Sequence, residues 1–327
     1  MPRNFRRQQA FVAMPYPHDV QPDAGTHPMT NSAPTHQSVA PRTVPVAAIV
    51  LTFNEERNIR ACLASLVGWV EELFVVDSGS TDATVAIARD MGAIILVHPF
   101  EHYGAQRNWA LDHCPVRAPW VLNIDADERV TPEMRASIER VVATTEPSVC
   151  GYLFSRRTVF MGRWIRHGGH YPAWHLRLFV KGRGHCEERL YDQHFQCDGP
   201  TRQLPGDIID TLTPSLAVFS VRHVRWAQLE AEEQQLDFDG VMRQSRISGK
   251  ARGGNAIELR RWLRERYGRL PLFVRPLMYF LYRYFLRLGF LDGVEGLIFH
   301  FLQGFWYRFL VDSLIFESQR RSSADTE

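Results

Sequence analysis

Between Val46 and Ile124 the chain alternates, four times over, between a short β-branched run and a stretch of helical spacing. Val46–Leu51 is the first run, and Ile59, Cys62, Leu63 and Leu66 follow at the spacing of one helix face. Leu73–Val76 is the second, followed by Val85, Ile87 and Ala88 until Gly92 stops the helix. Ile94–Val97 leads to a helix through Ala105–Leu111, and Val121–Ile124 is the fourth strand. Strands and helices alternating this closely predict an α/β fold, a mostly parallel sheet with right-handed crossovers. Ligands of such sheets bind beyond the carboxyl ends of the strands.

Those ends are polar here. The first strand runs into Thr52-Phe53-Asn54-Glu55-Glu56, the second into Asp77-Ser78-Gly79-Ser80-Thr81-Asp82, and the fourth into Asp125, Asp127 and Glu128. Clustered carboxylates at a buried strand end cost on the order of several kcal/mol unless a cation balances them. Asp125 and Asp127 fall on one side of an extended chain. Hard oxygen ligands at that spacing suit Mg²⁺ or Mn²⁺ bridging a substrate diphosphate. The plainer alternative is an acidic turn before a helix whose start is Thr131-Pro132-Glu133. For Asp77 the alternative is a helix cap or an Asx turn, although Thr81 and Asp82 stand closer to the helix start.

With 327 residues, 45% of them hydrophobic, the chain can bury one large domain and carry appendages. A formal net charge of +2 gives no overall field that would draw nucleic acid, so none is expected as a partner. Five scattered cysteines with no Cys-x-x-Cys pair imply neither a disulfide framework nor a zinc site. Residues 1–44 are rich in Pro, Gln, His, Ser and Thr without apolar periodicity, and read as a disordered arm. Their apolar stretches are too short for a signal peptide, which leads to the expectation of a cytoplasmic protein.

Taken in order, VAAIVLTFNEERNI, VVDSGSTDAT, GAQRNWAL and LNIDADERV resemble the family 2 glycosyltransferases of GT-A fold, and most of all the branch that includes lipopolysaccharide-core β-glucosyltransferases. The resemblance covers about residues 46 to 185 and implies a GT-A domain over 45–225, with a nucleotide-sugar half to 145 and an acceptor half from 146. It implies that Thr52, Asn54, Glu55 and Asp77 contact the nucleotide, that Gln106 and Arg107 lie near the donor, that Asp125 meets ribose or metal, and that Asp127 is the metal ligand.

Beyond Val142 the pattern becomes mixed, starting with a strand at Tyr152–Phe154. Arg156, Arg157, Arg163, Arg166, Arg177, Lys181 and Arg183 follow with no acid among them, interleaved with Trp164, Tyr171, Trp174 and Gly168-Gly169. Such a run is either a solvated face or an acceptor pocket with stacking surfaces and donors, and the aromatic interleaving favours the pocket. RWIRHGGHYP resembles the family's acceptor-side segment. Residues 226–327 read as helical, and Arg260–Gly289 carries eight arginines among large apolar residues. No apolar window is long enough to span a bilayer, so an amphipathic surface that meets an anionic membrane is expected. Its alternatives are a helical core or a homo-oligomer interface.

These readings converge on a metal-dependent inverting glycosyltransferase. It would move a sugar from a nucleotide-diphosphate donor to a phosphorylated or lipid-linked saccharide, such as a lipopolysaccharide or polysaccharide acceptor, at the cytoplasmic face of the membrane. The rivals are another phosphate-handling enzyme on a similar sheet and a catalytically inactive membrane scaffold. A nucleotidyltransferase would carry a glycine-rich basic loop where this chain has LTFNEE. Inversion needs a base apart from the donor-bound acids. In lipopolysaccharide-core relatives a His-Glu pair closes this region, whereas the matching stretch here, CEERLYDQHF, has Gln193 at the Glu position. Asp192 is the expected base, with Glu188 next.

Overall fold

The computed structural model describes residues 43–144, 149–189, 192–212, 215–238 and 256–324. The expected arm lies outside them except for its last two residues, and Val44 already belongs to the first strand.

Strands β1 (Val44–Thr52), β2 (Val70–Asp77), β3 (Ile94–Val97) and β4 (Trp120–Asp125) stand in the order β3-β2-β1-β4, all parallel. Helices α1 (Ile59–Ala64), α2 (Thr84–Asp90) and α3 (Tyr103–His113) connect them, as the alternation requires. Five residues of β1, Val46–Val50, are buried, because a central parallel strand is covered on both faces. Val46, Ala48 and Val50 pack with Leu63, Val75 and Leu122, while Ala47 and Ile49 pack on the opposite face with Phe74, Ala110 and Val121.

The sheet continues past β4 with β8 (Ala173–Val180), β6 (Gly151–Phe160), β11 (Thr201–Thr211) and β5 (Glu128–Val130), and a short β7 (Arg163–Trp164) pairs with β6. β8 runs antiparallel to β4 and β6, β11 parallel to β6, and β5 antiparallel to β11. A separate pair, β9 (Gly184–Cys186) and β10 (Phe195–Cys197), lies beside it. The architecture is the expected α/β one, a largely parallel sheet followed by a mixed half and a C-terminal helical region. Helix α4 (Pro132–Ala143) starts where the sequence placed it: Thr131 caps it by accepting from the Met134 N–H, with Pro132 in the first turn.

One irregularity aims β11. Its pairing with β6 slips between Gln203 and Asp207, across Pro205-Gly206. At Gly206 φ is +99°, and a Cβ there would stand 2.5 Å from the Met134 nitrogen. Only glycine lets the strand hug the start of α4. Beyond the slip, β11 pairs Asp210 with Glu128, which brings a second acid to the acid-tipped strand end.

The C-terminal region comprises α5 (Leu216–Phe238), α6 (Ala256–Gly268), α7 (Val274–Leu281), α8 (Gly293–Phe299) and α9 (Tyr307–Ala324), with π-helical turns at Tyr282–Leu286 and His300–Trp306. The boundary expected at residue 226 falls inside α5, which starts at Leu216. That helix serves two cores at once. Phe219 packs with Phe160, Ile165 and Phe299, and Ala227 and Ala231 pack with Tyr307, Val311 and Ile315 of α9. The glycine-containing stretch 249–254 lies outside the described residues.

Candidate active site

The loops after β1 and β2 are stitched to each other. Asn54, at φ +53°, accepts from the Thr81 N–H through its side chain, and its own N–H donates to Ser80 Oγ at 2.8 Å. Asp77 is 2% exposed; its Oδ2 accepts from the N–H groups of Gly79 and Ser80, and its Oδ1 accepts from Ser80 Oγ. The Asx-turn alternative therefore describes its side chain, and Asp77 shapes the loop whose backbone faces the crevice. Asp82 accepts from Thr84 N–H and hydroxyl and from Glu56 N–H, so it ties the helix start to the first loop. Gln106 is also a brace: it donates to Ser78 Oγ and the His98 carbonyl, and its Oε1 lies 2.7 Å from His98 Nδ1. Thr52 is buried with its hydroxyl unpartnered.

The two aspartates of the DAD stretch have opposite surroundings. Arg107 Nη2 stands 3.1 Å from both oxygens of Asp125, and Arg177 Nη2 is 3.0 Å from Asp125 Oδ2 and 2.5 Å from Glu128 Oε1. Against its burial, these two guanidiniums hold the Asp125 carboxyl well below the usual carboxylate range. Glu128, 1% exposed, also accepts from the Asp125 N–H and anchors the turn. Asp127 lacks such partners: its carboxylate has no hydrogen bond or ion pair among the described residues. Burial, then Asp210, Asp125, Glu55 and Glu128, drive its proton affinity well above the ordinary value. A carboxylate in that position takes up a proton or a cation.

Among the described residues no three His, Cys, Asp or Glu side chains form a ready-made metal cage. The donor set still fits a divalent ion of the Mg²⁺ or Mn²⁺ kind, which is commonly held by one or two carboxylates with substrate phosphates supplying further ligands. Asp127 is the free carboxylate for that purpose. Asp125, expected to meet ribose or metal, is shared between two arginines that fix its position.

Two residues of this site were missed in the sequence. Asp210, 5% exposed, lies 3.5 Å from Arg156 Nε, and burial and Asp125 raise its proton affinity against the pull of Arg156. Arg222 of α5 reaches Glu55 Oε1 at 3.2 Å, and its positive charge bears on Asp127. Neither carries a motif signal; strand pairing and a helix from the far end of the chain bring them in.

The expected base is engaged by the helical region. Asp192, at φ +53°, is ion-paired to Arg264 and Arg261 of α6, and these cations hold it far below the ordinary carboxylate value despite burial. A carboxylate so stabilised is a weak proton acceptor. Its role is to dock α6. Glu187 is buried, accepting from the His194 N–H and from Arg261, while Glu188 is exposed. Leu190 and Tyr191 lie outside the described residues.

Residues 47–197 match the profile described as Glycosyl transferase family 2. This stretch is a family 2 glycosyltransferase domain. Over 146 residues the glycosyltransferase domain region is 32% identical to the lipopolysaccharide core biosynthesis glycosyltransferase LpsC of Rhizobium meliloti (strain 1021), covering 43% of this chain and 53% of that protein. It is 40% identical over 99 residues to an uncharacterized glycosyltransferase of Rickettsia felis, covering 30% and 34%. The chain thus spans 34% to 53% of the length of these two relatives. Among solved structures, glucosyl-3-phosphoglycerate synthase from Mycobacterium tuberculosis, in complex with Mn²⁺, UDP and glucosyl-3-phosphoglycerate, aligns at 24% identity and a TM-score of 0.28, over 36% of this chain and 44% of that one.

Proposed function

We propose that the protein is a metal-dependent inverting glycosyltransferase that takes a sugar from a nucleotide-diphosphate donor to a phosphorylated or lipid-linked saccharide. The observation that carries this reading is the unpaired Asp127 carboxylate, set among Asp125, Asp210 and Glu55 within the family 2 domain. The loops of Thr52, Asn54, Glu55 and Asp77 frame the nucleotide, and Arg107, fixed on Asp125, borders the donor. Asp127 would hold a divalent ion, and such an ion, when bound, would supply positive charge against the departing diphosphate. Arg222 adds a second positive charge on the same side. Asp210, with its raised proton affinity, accepts the acceptor hydroxyl's proton in place of Asp192 or Glu188.

A panel of nucleotide sugars, each with Mn²⁺ and with chelator, tests this by thermal shift, since a ligand that binds the folded chain raises its melting temperature by mass action. One nucleotide sugar should stabilise the protein only with metal. Equal stabilisation in chelator would remove the metal from the scheme, and no response to any nucleotide sugar would favour the scaffold alternative.

The reading also places the enzyme peripherally on the inner face of an anionic membrane. No helix among the described residues is long and apolar enough to cross a bilayer. From α7 to α8, Leu277, Met278, Leu281, Phe285, Leu286, Phe290, Leu291 and Val294 are exposed, and Arg269 and Arg287, also exposed, flank and punctuate the stretch. Apolar side chains beside free cations suit an anionic lipid surface. Phe285→Glu with Leu286→Glu should cut sedimentation with phosphatidylserine vesicles at least fivefold; unchanged sedimentation would assign this face to another subunit.

A further inference from the structure

The basic residues that the sequence grouped together separate into two kinds. Most have a carboxylate partner within the protein: Arg157 with Asp207, Arg163 with Glu295, Arg177 with Asp125 and Glu128 although two of its nitrogens are left without a hydrogen bond, Arg275 with Asp312, and Arg264 and Arg308 with Glu230. A smaller set converges on one place without enough anions.

Sheet register begins the convergence. β6 pairs Phe154 with His175 of β8, and it pairs Arg156 with Ile208 and Thr158 with Asp210 of β11, so Arg156, His175 and Asp210 share a face. His170 joins it, its Nε2 2.9 Å from Thr158 Oγ1. The helical region contributes from the other side. Arg283 is 5% exposed; its Nε donates to the Gly168 carbonyl at 2.8 Å, and its Nη2 is buried with no hydrogen-bond partner. Arg261 of α6 stands 2.9 Å from His194 Nδ1, and the His194 ring stacks on His175 at 5.7 Å. Its neighbour Arg260 has no hydrogen bond or ion pair among the described residues. The mutual crowding shows in the chemistry of the histidine among them: burial, with Arg283, Arg156 and Arg260 around it, keeps His170 well below its ordinary proton affinity.

A solvated basic face does not explain a buried, unpartnered guanidinium nitrogen. Orphaned donors of that kind are costly unless an acceptor arrives. The donor's diphosphate is the less suited acceptor, because it belongs with Asp127 and Arg222, and Arg260 and Arg283 are not among the charges that bear most on Asp127, while Arg156, paired with Asp210, borders both places. We infer that Arg156, Arg260 and Arg283, with His175 alongside, form an oxyanion subsite that holds a phosphate or carboxylate group of the acceptor saccharide beside Asp210. The inference rests on the glycosyl-transfer reading above for the word acceptor, and on the cluster itself for the anion. Anchoring the acceptor's charge there leaves a neighbouring hydroxyl facing the carboxylate that takes its proton.

Binding of glucose 6-phosphate, glucuronate and inorganic phosphate to the full chain, measured calorimetrically at low salt with chelator present, tests the subsite without metal-dependent donor binding. At least one probe should bind saturably, and Arg260→Gln should weaken it tenfold or more while Arg260→Lys recovers most of the loss. Because Arg260 is exposed and has no hydrogen bond or ion pair among the described residues, its substitution should leave the melting temperature unchanged. Asp127→Asn should leave anion binding intact. The ranking of the probes tells phosphate monoester from carboxylate from free phosphate. No saturable binding, equal affinity in Arg260→Gln, or sensitivity to Arg222→Gln instead would overturn the subsite. Arg260-dependent anion binding in a protein that binds no nucleotide sugar would sustain the subsite and remove the transferase reading.

Discussion

The acidic and the basic ends of the cleft pose the same electrostatic problem and resolve it differently. At the acidic end Arg107 and the buried Arg177 pair with Asp125 and Glu128, and the excess negative charge is concentrated on Asp127 and Asp210. At the basic end Asp192, Glu187 and Glu230 absorb Arg261 and Arg264, and Arg260 and Arg283 are left without a carboxylate partner among the described residues, with Arg156 and Asp210 meeting between the two ends. In both places a framework of buried pairs, which on balance adds little stability, fixes the position of a few charges left without full compensation. The lesson is that a charged motif divides into groups that hold the site and groups that are left over, and the leftover ones face the ligand.

That division can be broken residue by residue. The largest effect is expected from Asp127→Asn, which should abolish metal-dependent donor binding in a nucleotide-sugar titration, whereas Asp82→Asn, at a helix start, should mostly retain it. Next, Asp210→Asn should lower turnover by about 10²- to 10⁴-fold, the usual cost of losing a general base, with donor affinity preserved. Asp192→Asn should keep transfer within about tenfold of the parent and should lower the melting temperature by loosening α6; the reverse ranking of the two variants would restore Asp192 as the base. A smaller effect concerns pH. Burial and Arg283 hold His300 at about 4, below its ordinary 6.5. The unfolded chain therefore takes up a proton below pH 6.5 that the folded chain refuses until about pH 4. Stability in urea titrations should fall through that window, and His300→Gln should flatten the fall. The smallest is Gly168→Ala, costing about 1–3 kcal/mol from overpacking, read as a shift in urea midpoint.

Much of the sheet was legible because periodicity records burial. β3 occurs at the residues expected, and β1, β2 and β4 extend the expected runs by only a few residues at their ends. The Thr131-Pro132 helix start was equally plain, since capping is local chemistry. The site was legible only in part. Asp127 could be found because its neighbours along the chain are acids. Asp210 and Arg222 could not, since each becomes a neighbour of Asp127 only through pairing between β11 and β5 or through the packing of α5. Nor does the chain advertise that Gln106 braces two loops, or that Asp192 faces two arginines from α6, because partners far apart in sequence leave no local pattern.

The Gly168-Gly169 pair was expected to allow a ligand close to the backbone, and it allows a protein element close instead. A Cβ on Gly168 would lie 2.1 Å from His300, and one on Gly169 3.3 Å from Arg287. Asp292 completes the seam by accepting from the His167 N–H and lying 2.6 Å from its Nδ1. The loop at 167–170 and the C-terminal helices are therefore one packed unit. A chimera that exchanges the helices for those of a relative should fold only when the loop travels with them, and shuffling at the end of the catalytic domain would cut through a single part.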